Sequence, residues 1–440
     1  MDNDTATKLA LITKKAKEDK TLRFRSLIHH LNPKYLLICY RTLNRGKAPG
    51  VDGRTLESYT DEEITQTIEL TVERMKSKRY RPQPVRRVFI DKANGKKRPL
   101  GIPTVIDKTI QQAITRILTP LFEPLFLPVS FGFRPGTGAH NALKELNHMV
   151  MGQKVNWIID ADIEGFFDHV DHDWMMKCLD QRILDPNFKQ LILRFLTAGI
   201  MEEGVVHPCD QGTPQGGILS PILANIYLHY VLDLWFETQK KKQIKGYAAM
   251  IRYADDFVIG VQHEWEARQI LKDLEERLKK FGLTLSKEKT RLIEFGRFAE
   301  ENRRKRGNTK PDTFDFLGFT HYVSTTIDGR FQIRVKTSRK KMNKATKTMS
   351  QWLKKVRNLT TLPEIWKQIE LKLQGHYNYY GLSGNFEGID RFYRNTCYLT
   401  FKWMNRRSQK KTWNWTTFYD YLNRYPLSKP KLTYAIYNTW

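Results

Sequence analysis

Two adjacent carboxylates, Asp255 and Asp256, sit between Met250-Ile251-Arg252-Tyr253-Ala254 and Phe257-Val258-Ile259-Gly260-Val261. Apolar runs around a short polar centre predict two strands joined by a tight turn, with both acids at its tip. Carboxylates this close repel each other unless a cation sits between or above them. A hard divalent ion with oxygen ligands, such as Mg²⁺, is the matching partner. Asp-Asp also occurs in ordinary surface turns, but a solvated turn has no need of Ala-Ala-Met-Ile before it and Val-Ile-Gly-Val after it. A second acidic stretch runs Trp157-Ile158-Ile159-Asp160-Ala161-Asp162-Ile163-Glu164-Gly165-Phe166-Phe167-Asp168. Here an apolar strand leads straight into acids, which is costly unless they have partners. Asp160, Asp162 and Asp168 are the candidates. Strand alternation puts Asp160 and Asp162 on one face and Ile159, Ala161 and Ile163 on the other. One acid from this strand and the pair at 255–256 would give three carboxylates converging on a two-metal site.

Other stretches could bind the anions such a site works on. Val85-Arg86-Arg87-Val88-Phe89-Ile90 and Lys97-Arg98-Pro99-Leu100-Gly101-Ile102 read as a hairpin, with its turn at Ala93-Asn94-Gly95-Lys96. Its Lys92, Lys96, Lys97 and Arg98 suit either a charge-protected edge strand or a clamp on a triphosphate. Ser130-Phe131-Gly132-Phe133-Arg134-Pro135-Gly136 is a glycine-rich loop opening a helix, where anions are attracted. His140 behind it suits packing or hydrogen bonding better than metal ligation. Gln211-Gly212-Thr213-Pro214-Gln215-Gly216-Gly217 is a helix-entry loop whose glycines allow close backbone approach to a ligand. Asn44 to Gly53 is a loop whose spacing matches no nucleotide P-loop.

The elements that must position these groups are legible from periodicity. Helices are expected over residues 7–43, 61–78, 107–126, 187–199, 221–238 and 264–281, the last stopped by Gly282. Leu283 to Leu285 and Arg291 to Phe295 read as strands, residues 300–311 as an exposed loop, and Phe314 to Phe319 as an aromatic strand or turn.

The chain has 440 residues, enough for two or three domains with a sizeable core. Lys and Arg outnumber Asp and Glu 74 to 47, a formal charge of +27. Such an excess favours a polyanionic partner, nucleic acid or an anionic surface. No apolar run is long enough to span a membrane, and the acidic start is no secretory signal. Cys39, Cys178, Cys209 and Cys397 have no metal-site spacing, so an intracellular, reduced protein is expected. From residue 330 onward there are 23 Lys and Arg against 5 Asp and Glu, about two thirds of the net charge. Trp352, Trp366, Tyr377, Tyr398, Phe401 and Trp403 are interleaved with them, on helices expected near 338–358, 363–378 and 387–407. That mixture points to nucleic-acid backbone binding.

These motifs, in this order, resemble the reverse transcriptases encoded by bacterial group II introns, over nearly the whole chain. Tyr253-Ala254-Asp255-Asp256 looks like the family's YADD box, and Asp160 to Asp168 like its first catalytic-acid motif. Lys97 to Pro103, Gly132 to Gly136 and Gln211 to Gly217 match further boxes. The resemblance implies an α+β right-hand polymerase: fingers and an antiparallel-sheet palm over residues 1–320, a helical thumb or maturase domain over 330–407, and a DNA-binding segment over 408–440. It implies catalysis by Asp162, Asp255 and Asp256, which with Ile163 would hold two Mg²⁺ ions, replaceable by Mn²⁺. Asp162 is preferred to Asp160 because the family's acid is followed five residues later by an aromatic, here Phe167. Phe167 would lie under the incoming sugar and select deoxynucleotides. Lys92, Arg98, Gln215 and Lys289 match nucleotide-binding positions.

The implied activity is RNA-directed DNA synthesis, with RNA template, DNA primer and dNTPs as partners. Intron RNA would also be bound, to assist splicing and retrotransposition, in the bacterial cytoplasm in nucleoid or ribonucleoprotein association. The chain ends at Trp440 without the family's cysteine- and histidine-bearing endonuclease, so target cleavage by that route is not expected. A maturase with an idle polymerase, or a domesticated enzyme of DNA repair or phage defence, are the alternatives.

Overall fold

A computed structural model describes residues 3–91, 97–213, 215–307, 310–407 and 413–437. Near the N-terminus the expected long helix is broken. Asn3–Glu18 and Pro33–Arg41 are separate helices, because Asn32 caps the second through Tyr35 N–H and Pro33 occupies its first turn. Thr60 and Glu63 form a reciprocal cap on helix Asp61–Lys76, and Thr104 caps Val105–Phe122.

Strands β1 (Val85–Asp91) and β2 (Lys97–Ile102) pair antiparallel, as expected; Lys92 and the turn Ala93 to Lys96 lie outside the described residues. β3 (Trp157–Asp162) begins the central sheet. β4 (Ile200–Glu202) and β5 (Val205–His207) extend the β1–β2 sheet. β6 (Ala248–Tyr253), β7 (Asp256–Val261) and β8 (Arg291–Glu294) complete the central sheet in the order β6-β7-β3-β8, with every pair antiparallel. β9 (Phe314–Phe316), β10 (Phe319–Thr325) and β11 (Phe331–Thr337) form a third sheet. The β10–β11 hairpin was not anticipated. Residues 299–305 are helical rather than looped.

The central sheet has two unlike faces. Ile159, Ala161, Phe257, Ile259 and Met250 point into a large core shared with the helices. Ile158, Val258 and Ile251 point the other way, onto Phe314, Phe316, Phe319 and Val335 of the third sheet. By alternation, Asp160, Asp162 and Asp256 share this second face, at the end where the apolar cover stops. Helices Arg339–Val356, Leu362–Tyr380 and Phe386–Met404 follow close to their expected ranges. Phe418, Leu422 and Leu427 of the tail pack into the core of these helices, and Ile436 joins the core behind the central sheet.

Candidate active site

β6 and β7 are joined by a two-residue turn, Ala254-Asp255, so Asp255 is at the tip while Asp256 already begins β7 opposite Tyr253. Ala254 takes φ +57°, a left-handed conformation that costs an L-residue about 1–2 kcal/mol. Across the sheet, Asp256 pairs in register with Asp162 of β3. Asp162, Asp256 and the turn residue Asp255 therefore converge.

Their electrostatics show the crowding. Burial raises Asp255, helped by the Asp162 charge and opposed by Arg98 and Lys289. Surrounding protein and the neighbouring carboxylates Asp255 and Asp162 push Asp256 up to about 7, although its side chain still opens to solvent at the mouth. The Lys289 ammonium donates to Asp162 Oδ2 at 2.5 Å and is itself raised, chiefly by that bond. Three carboxylates thus crowd together with Arg98 and Lys289 beside them, although among the described residues no group of three or more His, Cys, Asp or Glu side chains is closed tightly enough to hold a metal ion as it stands. Asp160 is engaged differently: Arg291 donates to its Oδ2 at 3.0 Å across the β3–β8 pair. Ile163 is buried, bridging to Leu285 through bonds made by its neighbours, Ser286 N–H to Asp162 C=O and Glu164 N–H to Thr284 C=O. That pairing leaves the Ile163 carbonyl out of the ladder.

Of the expected nucleotide-contacting residues, Lys289 bonds Asp162 and the charge of Arg98 acts on Asp255. Arg98 Nε donates to Gln215 Oε1 at 2.9 Å, tying β2 to the Gln211–Gly217 loop. Gly101 N–H donates to Gln215 C=O at 2.6 Å, and a Cβ at Gly216 would stand 2.7 Å from Gly101 O, so glycine is what permits this approach. Phe167, Leu100, Gly101, Thr213 and Gln215 line a cleft of about 490 Å³. Phe167 is held in place: its ring meets Phe166 edge-on at 5.2 Å and its C=O accepts from Thr213 N–H. Lys92 lies outside the described residues. Asp168 is exposed, and His140 bonds the Tyr379 carbonyl at 2.8 Å through Nε2 and packs on Tyr434.

Residues 90–321 match the reverse transcriptase (RNA-dependent DNA polymerase) family. The group II intron-encoded protein LtrA of Lactococcus lactis subsp. cremoris is 32% identical over 462 aligned residues, covering 87% of this chain and 75% of that protein. The chain belongs to the group II intron-encoded reverse transcriptases. This reverse transcriptase is also 31% identical to the protein YkfC of Escherichia coli K12, over 56% of the chain and 73% of that protein. A third relative is an uncharacterized 91 kDa protein in a cob intron of Schizosaccharomyces pombe, 29% identical over 70% of the chain and 43% of that protein. No helix among the described residues is long and apolar enough to cross a membrane.

Sequence reasoning missed Asn225, Asp233 and Arg252, which meet on the other side of the acid turn, where Arg252 donates to Asp233, Asn225 and the Ala254 carbonyl. The signal was present in Arg252, a charge inside an otherwise apolar strand, which had to find a buried partner.

Proposed function

We propose that this chain is an active RNA-directed DNA polymerase that also binds its intron RNA as a maturase. The observation carrying this reading is the register of Asp162 against Asp256, with Asp255 in the adjoining turn and two cations facing them. In this reading, residues 1–320 are fingers and palm, 330–407 the thumb and 408–440 a DNA-binding segment.

Asp162, Asp255, Asp256 and the main chain of Ile163 would hold two Mg²⁺ ions. Bound there, divalent ions would lower the pKa of a primer 3′-hydroxyl and offset charge on the pyrophosphate leaving group. Arg98 presents its planar fork to the triphosphate, and the Gln215 amide fixes the direction of that fork. Lys289, which donates to Asp162 within this cluster, would serve as a point charge toward the phosphates. Phe167, immobilised by Phe166 and Thr213, floors the sugar position and leaves little room for a 2′-hydroxyl. The basic helices from residue 330 hold the RNA–DNA duplex by its backbone with little base readout.

Primer extension on an RNA template with Mg²⁺ and dNTPs tests the reading. Full-length cDNA is expected. No product, with tight intron RNA binding retained, would replace it with the maturase-only reading.

A further inference from the structure

Behind the acid turn, on the helix-facing side of the sheet, lies a charge that polymerisation as described does not use. Arg252 of β6 is fully buried, and so is its partner Asp233. Desolvating an ion pair costs several kcal/mol per ion, and apolar residues of similar volume often serve stability as well or better. The further hydrogen bonds of the pair indicate what it is for. Arg252 Nε donates to Asp233 Oδ1 at 2.7 Å, and Nη2 to Asp233 Oδ2. Nη1 donates to the Ala254 carbonyl at 2.9 Å and to Asn225 Oδ1 at 3.1 Å. Asn225 Nδ2 in turn donates to the Gly132 carbonyl at 2.7 Å.

Gly132 closes the loop of contacts, because it lies against Ala254 so closely that a Cβ there would stand 2.4 Å from the Ala254 nitrogen. The main chain of Arg252 is held as well: its N–H donates to Val129 C=O at 2.7 Å and its C=O accepts from Phe131 N–H at 2.9 Å. Ala254, the residue with positive φ, is thus gripped by a guanidinium on one side and a glycine loop on the other.

The helix supplying Asn225 and Asp233 is shaped for this. Regular turns of 3.6 residues would set these two positions roughly 80° apart around the axis. Instead, helix Ser220–Leu228 widens into π turns over His229–Asp233, and both side chains reach Arg252. Such widened turns recur at functional sites.

We propose that Arg252, Asp233 and Asn225 form a positioning clamp that holds Ala254, and through it the Asp255 carboxylate, in the geometry that divalent ions require. The clamp rests on the metal reading of Asp162, Asp255 and Asp256. Its members are positioning residues that act through the Ala254 main chain. Their loss lets the turn relax from its strained φ and weakens ion binding, while the nucleic-acid surfaces are untouched.

The test is Mn²⁺ binding, read by electron paramagnetic resonance, to the full chain on an RNA–DNA duplex whose primer lacks a 3′-hydroxyl. Arg252→Lys keeps the charge opposite Asp233 but cannot reach all the acceptors at once. Asn225→Ala leaves the ion pair and removes the link to Gly132. Should Arg252→Lys fail to fold, Arg252→Met with Asp233→Leu removes both charges together. Each folded variant is expected to bind Mn²⁺ about tenfold more weakly or worse, a loss of about 1.4 kcal/mol, with duplex affinity within about twofold of wild type. Mn²⁺ affinity within about twofold of wild type in every folded variant would overturn the clamp. Absence of Mn²⁺ binding by the wild type would overturn the metal reading itself, and the clamp with it.

Discussion

Asp160 and Asp162 share one strand face, and their neighbours separate their roles. Arg291 neutralises Asp160 across the sheet, whereas Asp162 faces Asp256 and Lys289. Periodicity alone could put both acids on one face; choosing between them took the family motif. Phe167 was legible in the same way, by its spacing from Asp162. Its immobilisation was not, because the Thr213 N–H that bonds it comes from a loop distant in sequence. Replacing Phe167 by Ala should raise the ribonucleotide to deoxynucleotide ratio of kcat/KM by about tenfold or more, a loss of about 1.4 kcal/mol of discrimination. Competitive incorporation of rNTPs and dNTPs measures it, and an unchanged ratio would argue against the gate. The charge of Arg252 inside an apolar strand called for a buried partner, but which partners it finds was illegible, because Asp233 and Asn225 are brought to it by tertiary packing.

At the scale of elements, the strands of the central sheet and the long helices beyond residue 60 that were read lie close to their expected ranges. Leu283 to Leu285, by contrast, forms no strand beyond the Leu285 bridge to Ile163, and β4, β5 and helix His172–Asp180 were not read. Some of these failures have physical causes. Pro33 and the Asn32 cap start a new helix inside a stretch whose apolar spacing ran on. The β10–β11 hairpin was legible and passed over: Phe331, Ile333 and Val335 alternate with Gln332, Arg334 and Lys336, and Asp328-Gly329 marks the turn before them. The π turns after Leu228 leave no compositional trace. The loop carrying Gly132 was read as an anion-binding turn, yet its glycine also lets the loop lie against the acid turn. Gly132→Ala should therefore displace Ala254 and lower extension by about a hundredfold, the scale of a 1 Å misplacement. RNA affinity should be unchanged. Equal loss of extension and RNA binding would mean that the substitution disrupts the fold rather than the turn.

For the whole molecule, charge and buried histidines set the response to solution conditions. The excess of +18 beyond residue 329 predicts that duplex affinity falls steeply with salt, through counterion release. Titration between 50 and 200 mM KCl, about the range over which such losses are large, measures this; a flat profile would contradict the backbone-contact role proposed for residues 330–440. His321 is fully enclosed against Phe314, and burial pushes its pKa down to about 3; His229 is likewise pushed down to about 4. Both rings stay neutral in the fold and gain a proton on unfolding below the ordinary histidine value. Their contribution to stability is therefore complete above about pH 6.5 and declines as pH falls towards 4 and 3. His321→Phe should flatten that decline in urea midpoints measured from pH 7 to 4, and an unaltered slope would contradict it. The account as a whole turns on the three converging acids. The most direct measurement is single-turnover primer extension on an RNA template, wild type beside Asp255→Asn, with duplex affinity measured on the same samples. The expected result is extension by wild type, none detectable by the variant, and equal duplex binding. Extension by Asp255→Asn at the wild-type rate would contradict the site described here.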